Sequence, residues 1–503
     1  MESTVEAGSR VKLVPLDRAQ TRWDVVDLEA LIASDHPART IWELAGRFDL
    51  SRFEEGILTR EGAAGRPCWP ARLLLSIWIY GYWQGVASAR ALERMMQHEP
   101  GLRWLAADQI VNHHTLADFR VGHKEALEDV LAQFLVLLEA ANIVDVNTLL
   151  QDGTKVRTVA GKGSFHRRQT LEGRLHQARE AVQRLDRAAA ENAGEAQDAR
   201  REAARRRAAR EALERAEAAL AKLAIRQGTP CPAQADEVRV SVSEAEARRM
   251  KQPDGGWAPS YNVQVLTEAK SRIVVGVRVT EAANDSGELL PGLQTAKESG
   301  ARLPSKMVAD SGYATRENVE GCSGLGVELI APWTEDGARE RGACRRNGIT
   351  EEFQPSVFRA GQDGKCLICP AGKRLEVTGA NQHHGVEREI FQARAEDCGG
   401  CAFHVSCCGK RGGARRMERV VESGAMQEYL ARMKRPEIQA LYKKRSEVAE
   451  FPHLWMKSVK KWRRFSVRGL TKAGMEALWA ALAYNAAQWA RLRKLGNPEA
   501  AAA

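Results

Sequence analysis

Apolar residues recur at helical spacing through the first third of this chain. Between Leu28 and Ile143 the pattern predicts helices over residues 40–48, 70–83, 88–96, 115–123 and 125–141. The last of these is amphipathic, with Leu127, Val130, Leu131, Phe134, Leu135, Leu137 and Leu138 at three- and four-residue steps. The second carries Trp78, Tyr80, Tyr82 and Trp83, which read as core-packing aromatics before they read as base-stacking ones. A period of two then takes over. Residues 143–154 alternate as a strand that ends on Asp152 and Gly153.

Residues 165–226 differ sharply from their surroundings. They are rich in Ala, Arg, Glu and Leu and contain no Pro. Leu171, Leu175, Ala178, Val182, Leu185 and Ala189 fall at alternating four- and three-residue steps, the seam of a coiled coil. A turn near Gly194 makes this a helical hairpin. Its mixed charges suit a solubilising or dimerising arm better than a DNA-binding one. Strand patterning returns over 257–279 as a hairpin. A helix over 284–299 follows, opened by Asn284, Asp285 and Ser286. Residues 305–315 read as a short strand stopping on Asp310, a turn permitted by Gly312, and a helix with Thr315 as its N-cap. Residues 327–332 are one more short strand.

Without the hairpin the order is β-β-β-α-β-α-β. That is the order of a ribonuclease-H-like α/β fold, a mixed sheet with helices on both faces. In it the first and fourth strands are neighbours. Asp152 and Asp310 then meet at one sheet edge, across 157 intervening residues. Two adjacent carboxylates repel unless a cation lies between them. Mg²⁺ suits such hard oxygen donors. Two ions about 4 Å apart serve phosphoryl transfer. The basic segment 442–457 supplies two candidates for a third carboxylate, Glu447 and Glu450.

Composition narrows the class further. A length of 503 residues predicts several domains. The formal charge of +10, from 75 basic and 65 acidic residues, suits a polyanionic partner. No apolar run is long enough for a membrane span, and the polar first ten residues lack a signal-peptide core. An intracellular protein is the expectation. Six of the ten cysteines lie between Cys366 and Cys408. The pairs Cys366-x-x-Cys369 and Cys398-x-x-Cys401 have the spacing of a tetrahedral zinc site, with Cys407 and Cys408 near enough to replace a ligand. The zinc would be structural.

Several blocks resemble the DDE-type transposases of bacterial insertion sequences, and the 1182 group in particular. They are Gln151 to Lys155, Tyr261 to Gln264, Asn284-Asp285, Ala309 to Tyr313, Cys366 to Lys373, Arg463 to Leu470 and Ala483 to Asn485. Residues 70–120 resemble the amino-terminal domain of that family. The resemblance implies Asp152 and Asp310 as metal ligands. It puts the third on Glu450, seven residues before Lys457, with Glu447 as the alternative. The chain departs from the family at Ala449, where Val is usual, and at Phe451-Pro452-His453, where Pro-X-Phe-Gly is common.

The implied activity is Mg²⁺-dependent cleavage at element ends and strand transfer into target DNA. A ribonuclease-H-fold nuclease without strand transfer and a non-cutting DNA-binding descendant are the alternatives. The implied partners are double-stranded DNA, as terminal repeats and as target, and further copies of the chain. The implied location is the bacterial cytoplasm, in association with the nucleoid. DNA contacts fall to Lys155, Tyr442, Arg445, Lys457, Lys460, Lys461, Arg463, Arg464 and Arg468, with Trp462 and Phe465 interleaved. The expected organisation is a flexible start (1–24), an all-α DNA-binding domain (25–142) and a catalytic core (143–164 and 227–340). Into or after that core come the hairpin (165–226), a cysteine-rich insertion (341–425), catalytic and basic helices (426–495) and a disordered tail (496–503).

Overall fold

The computed structural model describes residues 25–55, 57, 67–191, 196–228, 237–333, 337–361, 365–383 and 386–494. The expected flexible start, the turn at Gly194 and the tail from 496 lie outside the described residues.

The N-terminal part is helical: α1 (Pro37–Ala45), α2 (Ala71–Trp83), α3 (Ala89–Met95), α4 (Pro100–Leu105), α5 (His113–Gly122) and α6 (Lys124–Ala140). Ser88 caps α3 by accepting from Ala91 N–H, and Asn112 caps α5 by accepting from His114 N–H. The pattern missed α4, a six-residue helix too short to show a period. Trp78, Tyr80 and Tyr82 are buried, as core residues.

The chain then enters a mixed sheet. Its strands are β1 (Thr148–Arg157), β2 (Arg248–Lys251), β3 (Trp257–Glu268), β4 (Val274–Thr280), β5 (Lys306–Val308) and β6 (Glu328–Ile330). β3 runs antiparallel to β1 on one side, and β5 and then β6 run parallel to it on the other. The far edge of β3 is shared by β2 and β4. With β2 set aside, the spatial order is β4-β3-β1-β5-β6, so the two strands read as neighbours from the element order do pair. α9 (Leu289–Glu298) and α10 (Arg316–Gly324) join the later strands and pack on one face through Leu289, Leu293 and Val319. Between β1 and β2 lie α7 (Arg168–Glu191) and α8 (Ala196–Gln227). They pack on each other with Arg179–Glu217 and Arg210–Asp186 ion pairs.

Beyond β6 a second, antiparallel sheet is built from β7 (Arg359–Ala360), β8 (Cys366–Ile368), β9 (Arg374–His383), β10 (Val386–Ala393) and β11 (Arg416–Val420). The helices α11 (Gly424–Met433), α12 (Pro436–Lys443), α13 (Arg445–Leu454) and α14 (Leu470–Lys494) follow. α12 and α13 cover the other face of the first sheet, where Leu150, Val308 and Ile330 meet Ile438, Val448 and Ala449.

α14 is apolar nearly all round and is sandwiched between β4 and the N-terminal helices α2 and α6. Trp479 packs on Trp78 and Phe119 and donates from Nε1 to the Arg120 carbonyl. Asn485 accepts from Val274 N–H and donates to Val274 C=O, both at 2.8 Å, so a side-chain amide pairs the edge of β4. One apolar core thus joins the N-terminal helices to the sheet. No helix of the described residues is long and apolar enough to cross a membrane.

Candidate active site

Strand alternation fixes which β1 side chains share a face. Leu149, Gln151, Gly153 and Lys155 point toward α9, and Leu150, Asp152 and Thr154 point toward α13. Asp152 does not end its strand, as the sequence suggested; β1 runs five residues further, held by β3. What ends is the parallel partner. Leu150 pairs with Val308, the last residue of β5. Asp152 and Asp310 each lie two residues beyond that pair, at the same level on adjacent chains.

Asp310 also caps the turn that follows it, accepting from Gly312 N–H at 2.7 Å. Thr315 caps α10, as its sequence predicts. Burial pushes the Asp152 carboxyl up to about 7. Arg445 pulls it down, the Asp310 charge pushes it up, the Gly153 backbone N–H pulls it down and Asp285 pushes it up.

The helix facing these carboxylates is α13. Arg445, Ala449, His453 and Lys457 are four residues apart and form one stripe toward β1. A wide π turn over Trp455–Val459, after Pro452, carries Lys457 within reach. Arg445 Nη1 stands 3.7 Å from Asp152 Oδ1, an attraction without a hydrogen bond. His453 Nε2 stands 3.6 Å from Asp152 Oδ2. Burial and the Lys457 charge drop the His453 imidazole to about 4, so it is neutral at physiological pH. Lys457 donates to Thr154 Oγ1 at 2.9 Å and to the Lys155 carbonyl at 3.0 Å.

Glu450 and Glu447 are both exposed, and among the described residues neither joins Asp152 and Asp310 in a group that could hold a metal ion as it stands. Glu447 lines a cleft at the opposite end of β1, with Asp145, Thr148 and Lys270. Tertiary packing decides this. Val448, Ala449 and Pro452 are the buried residues of α13, and burying them turns both glutamates outward.

The sequence casts Asp285 as a helix opener. It instead accepts from Asn262 Nδ2 (2.6 Å), Gln264 Nε2 (2.7 Å) and Lys155 Nζ (3.3 Å), while Glu288 occupies the cap position of α9. Gln264 also accepts from Gln151 Nε2 at 2.9 Å and from the Tyr313 hydroxyl. A Cβ on Gly153 would stand within 2.5 Å of Gln264 Nε2, so this position admits only glycine without a shift. Conversely, no sequence signal pointed to His453 beyond its being a departure from the family pattern.

The basic candidates divide. Lys461, Arg463 and Arg468 are exposed. Arg464 is spent on the Thr158 and Val159 carbonyls. Lys460 stands over the Trp455 ring. Tyr442 is partly buried against the apolar cluster between α12, α13 and the sheet. Trp462 and Phe465 are buried, with Trp462 Nε1 donating to Glu476, so neither offers a face to a base.

Among the cysteines, Cys369, Cys398, Cys401, Cys407 and Cys408 line one small pocket with His404. Cys366 does not. Its neighbour Leu367 faces the core of the second sheet, which points Cys366 to the other side. Lys373 N–H donates to Cys369 Sγ at 3.2 Å and Arg415 N–H to Cys398 Sγ at 3.4 Å.

Among the described residues, no three His, Cys, Asp or Glu side chains converge closely enough to hold a metal ion as they stand. The donors nevertheless suit one. Two carboxylates share a level, and a buried Nε2 beside them lacks a hydrogen-bond partner.

A family model described as a transposase DDE domain matches residues 368–490. A second, described as a transposase domain, matches residues 26–122. The first begins after both aspartates and spans α13. No curated protein matches the chain.

Proposed function

With a transposase model matching each end of it, the chain is a transposase of the DDE type, and we propose that Asp152 and Asp310 are its catalytic metal-binding pair. The observation behind this is their shared level on β1 and β5, with the Asp152 carboxyl raised chiefly by its burial. Bound there, two Mg²⁺ would activate the attacking oxygen and stabilise the leaving one.

The remaining roles belong to the chain itself. Arg445 and Lys457, at the edge of the carboxylates, orient the scissile phosphate. The Asp285 cluster holds Lys155 and the β1–β3 pair in place behind Asp152. Exposed Lys461, Arg463 and Arg468 track the DNA backbone. The helical pair α7–α8 is an insertion in the catalytic core that extends the surface for a second copy. Cys369, Cys398, Cys401 and either Cys407 or Cys408 hold a structural zinc, in place of the set containing Cys366. Support for this set comes from their common pocket and from the backbone N–H groups aimed at Cys369 and Cys398, as thiolate sulfur requires.

The outward position of Glu450 favours one second reading, a DNA-binding descendant that no longer cuts. A cleavage assay on DNA carrying the element's ends decides. Asp152→Asn and Asp310→Asn are expected to bind this DNA as the wild type does and to leave it uncut. Cleavage by either variant at the wild-type rate in Mg²⁺ sinks the assignment. An inactive wild type favours the descendant.

A further inference from the structure

We propose that His453 is itself a ligand of the cation held by Asp152 and Asp310, and that the site prefers a transition-metal divalent ion such as Mn²⁺ to Mg²⁺; this rests on the metal-site reading above. α13 delivers one stripe of side chains to the carboxylates, and His453 lies on it. Its Nε2 is 3.6 Å from Asp152 Oδ2. The side chain is only 11% exposed, and Nε2 has no hydrogen-bond partner. A buried polar atom without a partner destabilises the fold, so its persistence calls for a reason.

The unpartnered Nε2 is the ring nitrogen that stands toward the carboxylate, so it is the one placed to bind a cation there. Neither glutamate of α13 competes, because both face solvent. Two carboxylates and one imidazole make a mixed oxygen–nitrogen donor set. Mg²⁺ takes oxygen almost alone, whereas first-row transition-metal ions also accept imidazole, Mn²⁺ the most weakly of them.

The test uses the full chain with Mn²⁺ as the probe. Pulsed electron paramagnetic resonance is recorded on wild type, His453→Ala, Glu450→Gln and Asp152→Asn, and on wild type labelled with ¹⁵N-histidine. The wild type is expected to bind Mn²⁺ in a manner that Asp152→Asn abolishes. It should show a directly bound nitrogen whose signal changes on ¹⁵N-histidine labelling. The signal should vanish in His453→Ala and persist in Glu450→Gln. Mn²⁺ affinity should fall about tenfold or more in His453→Ala, with little change for Mg²⁺.

Mn²⁺ bound through Asp152 without a histidine nitrogen overturns the inference and leaves the carboxylate pair standing. Absence of Asp152-dependent Mn²⁺ binding overturns both. The labelled wild type decides on nitrogen ligation even if His453→Ala fails to fold.

Discussion

Replacing Asp152 by asparagine should stabilise the protein while destroying the site. Burial and two neighbouring carboxylates raise the Asp152 carboxyl from its ordinary 3.8 to about 7. The folded protein therefore holds this proton more tightly than the unfolded chain does. The resulting stability is fully present below about pH 3.8 and is lost as pH rises through about 7. At about 1.4 kcal/mol per tenfold change in proton affinity, the loss reaches about 2 kcal/mol by pH 5 and about 4 kcal/mol by pH 8. Asparagine keeps the shape and removes the charge.

For a chain of 503 residues, the unfolding entropy converts 4 kcal/mol to a rise of about 4 °C in melting temperature. The assay is thermal melting of wild type and Asp152→Asn in EDTA at pH 5 and pH 8. The variant should melt higher at both, with the gap about doubling at pH 8. Mn²⁺ or Mg²⁺ should then raise the wild type and not the variant. An Asp152→Asn protein that is no more stable at pH 8, or a gap independent of pH, refutes the burial argument.

Two further outcomes follow from the packing. Trp479→Ala removes the ring that bridges α14 to Trp78 and Phe119, and should cost about 3–5 kcal/mol in chemical denaturation. In the cysteine pocket, Cys398→Ser should lose one zinc per chain by elemental analysis, and Cys366→Ser should keep it, because Cys398 is among the residues lining the pocket and Cys366 is not.

Local chemistry was the most legible part of the sequence. Asp310, Gly312 and Thr315 specify a turn and a cap from their own side chains, without help from the rest of the fold. The strand order was legible because element order leaves few topologies. Three things were not. Gly153 read as a strand end, yet it lies within β1, where its missing Cβ admits Gln264 and Asp285. The helical phase of α13 is set by which residues pack on Leu150 and Val308, so the choice between glutamates could not be made from spacing alone. Trp462 and Phe465 sit among arginines and lysines in sequence, and only the fold reveals that Glu476 and Tyr261 receive them inside.

The last helix gives the chain an order of completion. Residues 470–494 are synthesised after the helices and the strand they cover, yet they fill the groove between α2, α6 and β4. Until they leave the ribosome, Trp78, Phe119 and the edge of β4 have no cover, and the earlier helices wait with apolar surface open to water. A message cut short before residue 470 therefore does not yield a smaller working protein. It yields one whose N-terminal helices and β4 edge keep apolar surface open to water.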